Sequence, residues 1–308
     1  MSTNNPLHYP MRRHGMDHDR YDWSMISERP PVRWPQGQTL ALWINVNLQF
    51  FPLNPQGQPI KLAGNMTMPY PDLRHYSLRD YGNRIGIFRI LDALDTHGLR
   101  SSFAVNGRLA ERAPALLETV LKRGDELLGH SWSMDTAHAG GLPADAEAEL
   151  IERSLRLLRE RSGQAVRGWL SPGKQQSAHT PELLRAAGID YHCDWVNDEL
   201  PYPFRTDQGP MWSLPLSTEL EDRFVLMDNL HSAESWAQQV CDAADLLLAE
   251  SQSEGGRVLA LNLHPWVIGQ PHRMRYLEQA LDHIRSLPGV WNAMPGQIVD
   301  HVAATQAS

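Results

Sequence analysis

TLALWINVNLQ, residues 39–49, is the stretch from which the fold can be read. Leu40, Leu42, Ile44 and Val46 alternate with other residues, which marks a strand. Apolar side chains on both faces mark a strand covered on both sides, as in a parallel sheet. The run then ends in two amides, Asn47 and Gln49.

Outward from it, strand and helix signals alternate. RIGIFRILDALDTHG (84–98) has a helical stripe at Ile87, Ile90, Leu91 and Leu94 and stops at Gly98. There follow a strand SSFAV (101–105), a helix over 113–123, a strand ELLGH (126–130) and a long helix over 144–163 ended by Gly163. A strand VRGWLSP (166–172), a short helix opened by Thr180 and a strand YHCDW (191–195) come next. The pattern further predicts strands near 211–216 and 223–227, a helix at 233–250 and a buried strand RVLALNLHP (257–265). A helix near 271–286, a strand VWNAM (290–294) and a terminal helix complete the chain.

About seven strand–helix units in series predict an α/β fold, either a barrel or a doubly wound sheet. Asn47, Gln49, His130, Ser171, Asp194 and His264 fall where strands end, and a parallel barrel gathers such ends at one mouth. No Gly-rich phosphate loop follows the first strand, so the doubly wound sheet loses its usual ligand signal. The expectation is a distorted (β/α) barrel of about seven parallel strands over residues 37–308, preceded by an extended arm over 1–36. Pro30, Pro31 and Pro35 force extended backbone at the end of that arm.

The 308 residues are 42% hydrophobic and 21% charged, enough for a substantial core. A net charge of −8, with no basic run beyond Arg12-Arg13, argues against a nucleic-acid partner. No apolar stretch reaches the roughly 18–20 residues a membrane helix needs. The opening residues lack the apolar segment of a secretory signal, so a cytoplasmic location is expected. Cys193 and Cys241, in no CxxC spacing, read as two reduced, buried thiols.

GHSWS (129–133), RGWLSPG (167–173), YHCDW (191–195) and LNLHP (261–265) stand in an order and spacing that resemble the polysaccharide-deacetylase superfamily, carbohydrate esterase family 4, over nearly all of residues 37–303. Five further stretches resemble its metal-independent allantoinase and cyclic imide hydrolase branch: DRYDWS (19–24), RPPVRWPQGQTLALW (29–43), YGNRIGIFRILD (81–92), DELPYPF (198–204) and HPWVIGQPHRM (264–274). The resemblance implies a homo-oligomer, with a tetramer as the form it suggests and the arm crossing a neighbour.

It also implies roles. His264 matches the general acid, a role that imidazoles commonly take. Asp194 and Arg167 match the charged pair that positions catalytic groups. His130 is a second base or a substrate contact. Trp132, Trp169, Trp195 and Trp266, beside these motifs, are placed to wall a flat pocket, and Asp198 is a further candidate contact. In metal-dependent relatives two carboxylates end the first strand and an HxxxH motif follows. This chain has Asn47 and Gln49, and Met134 four residues after His130. Amides are poor bases and poor ligands for such a dication, so no cofactor is expected. His138 and Asp135 are candidate substitute ligands without the spacing. Ser171 reads as a turn residue, because Pro172 follows it and no G-x-S-x-G elbow surrounds it. The HGMDHD stretch (14–19) reads as surface or subunit contact.

The resulting expectation is metal-independent hydrolysis of a small cyclic amide or imide, allantoin-, hydantoin- or succinimide-like, with Asn47 and Gln49 contacting substrate. Two other readings stay open on the residues alone. One is a metal-dependent deacetylase of an N-acetylated sugar or acetamide, using zinc. The other is a catalytically inactive barrel that binds a ligand.

Overall fold

The computed structural model describes residues 18–55 and 71–306, so most of the HGMDHD stretch lies outside the described residues. At the centre is β1 (Leu40–Leu48), buried along its whole length. Along one edge runs β8 (Arg257–Leu263), parallel, with Ile44 opposite Leu261 and Asn45 opposite Asn262. The other edge is shared. β9 (Val290–Asn292) pairs with Leu40–Leu42, and β2 (Ser102–Val105) pairs with Asn45–Leu48. From β2 the sheet continues through β3 (Glu126–Gly129), β4 (Gly168–Trp169) and β5 (Tyr191–His192). It ends with β7 (Met211–Ser213) and β6 (Tyr202–Phe204), the latter antiparallel. The product is a curled, mostly parallel half-barrel.

Parallel neighbours require crossovers, and helices supply them. After α1 (Leu73–Tyr81), a π-helical turn over Gly82–Gly86 leads into α2 (Ile87–Thr96). The stripe Ile87, Ile90, Leu91 and Leu94 is buried on α2, as the 3.6-residue period demands. The helix predicted over 113–123 is α4 (Pro114–Leu121), opened by Pro114, and a short α3 (Gly107–Arg112) that the sequence reading did not give precedes it. α5 (Ala144–Ser162) stops at Gly163, whose φ of 69° favours glycine. α6 (Thr180–Ala186), α7 (Ala233–Glu254), α8 (Met274–Ser286) and α9 (Pro295–Gln306) follow.

Three details depart from the sequence reading. Residues 224–228 form a π-helical turn, with the adjacent residues Val225 and Leu226 both buried rather than alternating. β6 adds an antiparallel edge. β4 and β5 are only two residues long, because the chain leaves the ladder early to build the loops at the mouth.

The two faces of β1 do different work. Leu40, Leu42, Ile44, Val46 and Leu48 join the apolar layer beneath the helices, whereas Ala41 and Trp43 join a second core inside the barrel with Trp34, Leu128, Tyr191 and Ala260. Replacing Trp43 by Ala would cost roughly 3–5 kcal/mol. Above Trp43 the inward face turns polar. Trp43 Nε1 donates to Ser102 Oγ at 2.8 Å, and Ser102 donates to Asn45 Oδ1 at 2.9 Å. Asn47 and Gln49 continue the column upward, and Asn262 and His264 do so on the neighbouring β8 side. An apolar floor thus carries a polar mouth.

The described part of the arm packs on its own barrel. Arg20 pairs with Glu182 at 2.5 Å, Arg29 with Asp198 at 2.5 Å, and Trp34 Nε1 donates to Arg257 O at 3.1 Å. No helix among the described residues is long and apolar enough to cross a membrane. Cys193 and Cys241 are free and buried.

Candidate active site

The polar strand ends border one cavity of about 280 Å³ at the mouth. Asn47 and Gln49 reach it from β1, His130 from β3, Ser171 from β4, Asp194 from β5, and His264 from β8. Sequence spacing alone had brought these six together, and the fold does so.

His264 is the best-held of them. Its backbone N–H donates to Asp222 Oδ2 at 2.8 Å, and its Nδ1–H donates to Asp222 Oδ1 at 2.7 Å. Both groups are buried, which strengthens the bond. With Nδ1 committed, Nε2 is the nitrogen left for a molecule in the cavity. Beside this pair Glu221 accepts from Lys174 Nζ at 3.1 Å, Arg223 Nε at 3.0 Å and Asn262 Nδ2 at 3.0 Å. Burial would raise the Glu221 carboxyl, but Lys174, the His264 imidazole and Arg223 outweigh it and hold it down to about 2.

Asp194 behaves differently. It accepts from Ser171 N at 2.6 Å and Ser171 Oγ at 2.7 Å. Burial nevertheless pushes its pKa up to about 6, against those hydrogen bonds. Arg79, on α1, is sandwiched between the rings of Phe51 and Trp266, 4.4 and 4.6 Å from their centres, and all three border the cavity. Trp266 is fixed from behind by the π-helical turn. Gly82 and Gly86 lie so close to the Pro265–Trp266 backbone that a Cβ at either would collide with it.

The opposite wall is uncharged. His130 Nδ1 donates to Leu170 O at 2.5 Å, and its Nε2 meets Gln49 Nε2 at 3.2 Å. Complete burial pushes the His130 pKa down to about 4. Met134 borders the cavity where the second metal histidine would stand. The residues present do not fit the superfamily's metal. The first-strand positions hold amides, His130 Nε2 is committed to Gln49, and among the described residues no three His, Cys, Asp or Glu side chains converge as a donor set.

Several sequence assignments need correction. Arg167 precedes β4 and lies at the far end of the sheet, half exposed, paired with Asp190 at 2.6 Å and Asp300 at 2.7 Å. It does not reach the cavity. The carboxylate on the His264 imidazole is Asp222, not Asp194. Of the four tryptophans only Trp266 borders the cavity. Trp132 stacks under Arg153, Trp169 donates to Ser171 Oγ, and Trp195 packs on Tyr21 and Phe204. Asp198 pairs with Arg29, away from the site. Asp135 accepts from Ser133. His138 joins Ser131 and Glu147 in a fully buried chain behind His130, with the order of a catalytic triad but no access to the cavity.

Sequence reasoning missed Asp222, Glu221, Arg223, Lys174, Arg79 and Asn262. Lys174 follows the RGWLSPG motif directly and Asn262 lies within LNLHP, so both had a signal. Glu221-Asp222 was a bare acidic pair in a stretch without period, and such pairs are usually solvated.

The family profile described as polysaccharide deacetylase matches residues 76–192. A Schizosaccharomyces pombe protein provisionally named a polysaccharide deacetylase is 26% identical over 257 residues, covering 77% of this chain and 79% of its own. A Helicobacter pylori peptidoglycan deacetylase is 23% identical over 244 residues, 68% of this chain and 81% of its own. Among solved structures, Puue allantoinase superposes with a TM-score of 0.80 at 24% identity, covering 94% of this chain and all of the other. Residues 76–192 thus match the polysaccharide deacetylase family, and the half-barrel has the fold of that solved structure.

Proposed function

We propose that this chain hydrolyses the C–N bond of a small cyclic amide or imide, with His264 moving the proton and no metal taking part. The observation that carries this is the doubly held His264–Asp222 pair at the edge of the cavity. Asp222 sets the tautomer, so neutral Nε2 takes a proton from water as its oxygen bonds to the ring carbonyl. The Arg79 guanidinium, clamped between two rings, supplies positive charge for the developing oxyanion. As the C–N bond breaks, the imidazolium returns its proton to the leaving nitrogen. Asp194, backed by Ser171, is a carboxylate in the same cavity able to orient the water.

A cavity of about 280 Å³ is at the small end for ligand sites and suits a single ring better than a polymer. A strained or activated ring also needs less Lewis acidity than an ordinary acetamide. An allantoinase shares the fold, and allantoin is such a ring. The test is turnover of succinimide, hydantoin, dihydropyrimidine and allantoin analogues with chelator present. Turnover of at least one is expected, and none across the panel would sink the reading.

A further inference from the structure

Asn47 and Gln49 stand where the superfamily's metal-dependent members carry carboxylates, and their hydrogen bonds fix both amides. Leu263 O can only accept, so Asn47 Nδ2 is the atom facing it at 3.0 Å. The other Asn47 N–H goes to Asn262 Oδ1 at 2.7 Å. Asn262 is oriented in turn by its Nδ2 donation to the Glu221 carboxylate. Both Asn47 N–H groups are therefore used, and its Oδ1 has no hydrogen bond among the described residues.

The same reasoning orients Gln49. Trp266 Nε1 can only donate, and it faces Gln49 Oε1 at 3.5 Å. Leu170 O can only accept, so His130 carries its proton on Nδ1 and offers a lone pair at Nε2. Gln49 Nε2 donates to that lone pair, and its second N–H has no partner among the described residues. Both side chains are on the inward face of β1, about 7 Å apart along the strand, and both border the cavity.

We propose that Asn47 Oδ1 and Gln49 Nε2–H form a paired acceptor and donor that reads the edge of a cis-locked secondary amide. Two carboxylates would offer acceptors only, whereas two amides oriented in this way offer one of each. An open-chain secondary amide is trans, with N–H and C=O pointing in opposite directions, and making it cis costs about 2.5–4 kcal/mol. In a five- or six-membered lactam, imide or ureide ring the two groups lie side by side. Among secondary amides only such a ring meets both partners at once, and an open-chain trans amide leaves one buried polar group unmet. The inference rests on the cyclic-amide reading and names the feature of the ring that is recognised.

The test is a ligand-observed NMR titration of the full chain with succinimide, hydantoin, N-methylsuccinimide and N-methylacetamide, with hydrolysis followed in parallel. Succinimide and hydantoin are expected to bind about tenfold tighter, or more, than the two compounds lacking a cis N–H edge. Asn47→Leu should shrink that ratio to about twofold. The comparison among ligands needs only the unaltered protein, so a misfolded variant does not remove the test. Equal binding of all four, or no binding of any, overturns the proposal. The two readings also fail separately. Preference for the N–H rings without turnover keeps the edge reader and removes the hydrolase. Equal kcat/KM for succinimide and its N-methyl form removes the edge reader and keeps the hydrolase.

Discussion

On one wall of the cavity Asn47, Gln49 and His130 are neutral. On the other, His264 is backed by Asp222, and Glu221 gathers Lys174 and Arg223 beside it. Burial does not separate the two, since His130 is 1% exposed and His264 3%. Partners do. Glu221 has two cations and an amide within 3.1 Å, while His130 has only a carbonyl and an amide. A buried charge persists where an opposite charge or several donors meet it, and elsewhere the group titrates to its neutral form. On the proposed reading the charged wall moves protons and the neutral wall holds the ligand by hydrogen bonds.

The largest expected effects break the charged wall. His264→Ala should abolish turnover, and Asp222→Asn should lower kcat by about 10³–10⁴, as loss of an imidazole's orienting carboxylate does elsewhere. Rates on the cyclic amide panel check both, and retained turnover in His264→Ala would remove the assigned proton carrier. Arg79→Met should lower kcat about 10²-fold with a smaller change in KM, the signature of a charge felt mainly in the transition state.

pH sharpens the comparison next. His130 has its pKa lowered from 6.5 to about 4, so the unfolded chain binds its proton more readily, and folding stability from this group is lost as pH falls from 6.5 towards 4. Asp194 has its pKa raised from 3.8 to about 6, so the folded chain holds its proton more tightly, and stability is lost as pH rises through that range. At about 1.4 kcal/mol per pH unit, each amounts to about 3 kcal/mol with opposite sign. The native protein should therefore show little net slope from these two groups between about pH 4 and 6. Denaturant midpoints should fall with rising pH there in His130→Asn and climb in Asp194→Asn. Identical slopes in both variants would refute the opposition. The smallest effect belongs to Arg167→Gln. Its half-exposed ion pairs are worth less than about 1 kcal/mol, and kcat should stay within a few-fold. A large drop in kcat would return Arg167 to the chemistry.

The barrel and most of the mouth could be read from the sequence because both rest on period and position. Alternation in 39–49 named a buried strand, and polar residues closing successive strands named one rim. Asp222 could not be found that way. It lies in an irregular segment, and what ties it to the candidate site is a hydrogen bond to His264, 42 residues on. Arg167 was misplaced for a related reason. It opens the RGWLSPG motif, but it enters β4 rather than leaving it, and a parallel strand puts its two ends on opposite sides of the molecule. Trp195 failed on direction, since it follows Asp194 directly and a neighbour in sequence at a strand end points the other way.

The half-barrel stays open, and the chain between β7 and α7 borders that opening, delivering Glu221, Asp222 and Arg223 to the end of β8 without itself being a strand. No ladder register ties that segment's residues to the sheet. Insertions and exchanges there can re-aim these side chains while the scaffold stays as it is, so one architecture can present a different set of polar groups at its mouth by editing a short length of loop.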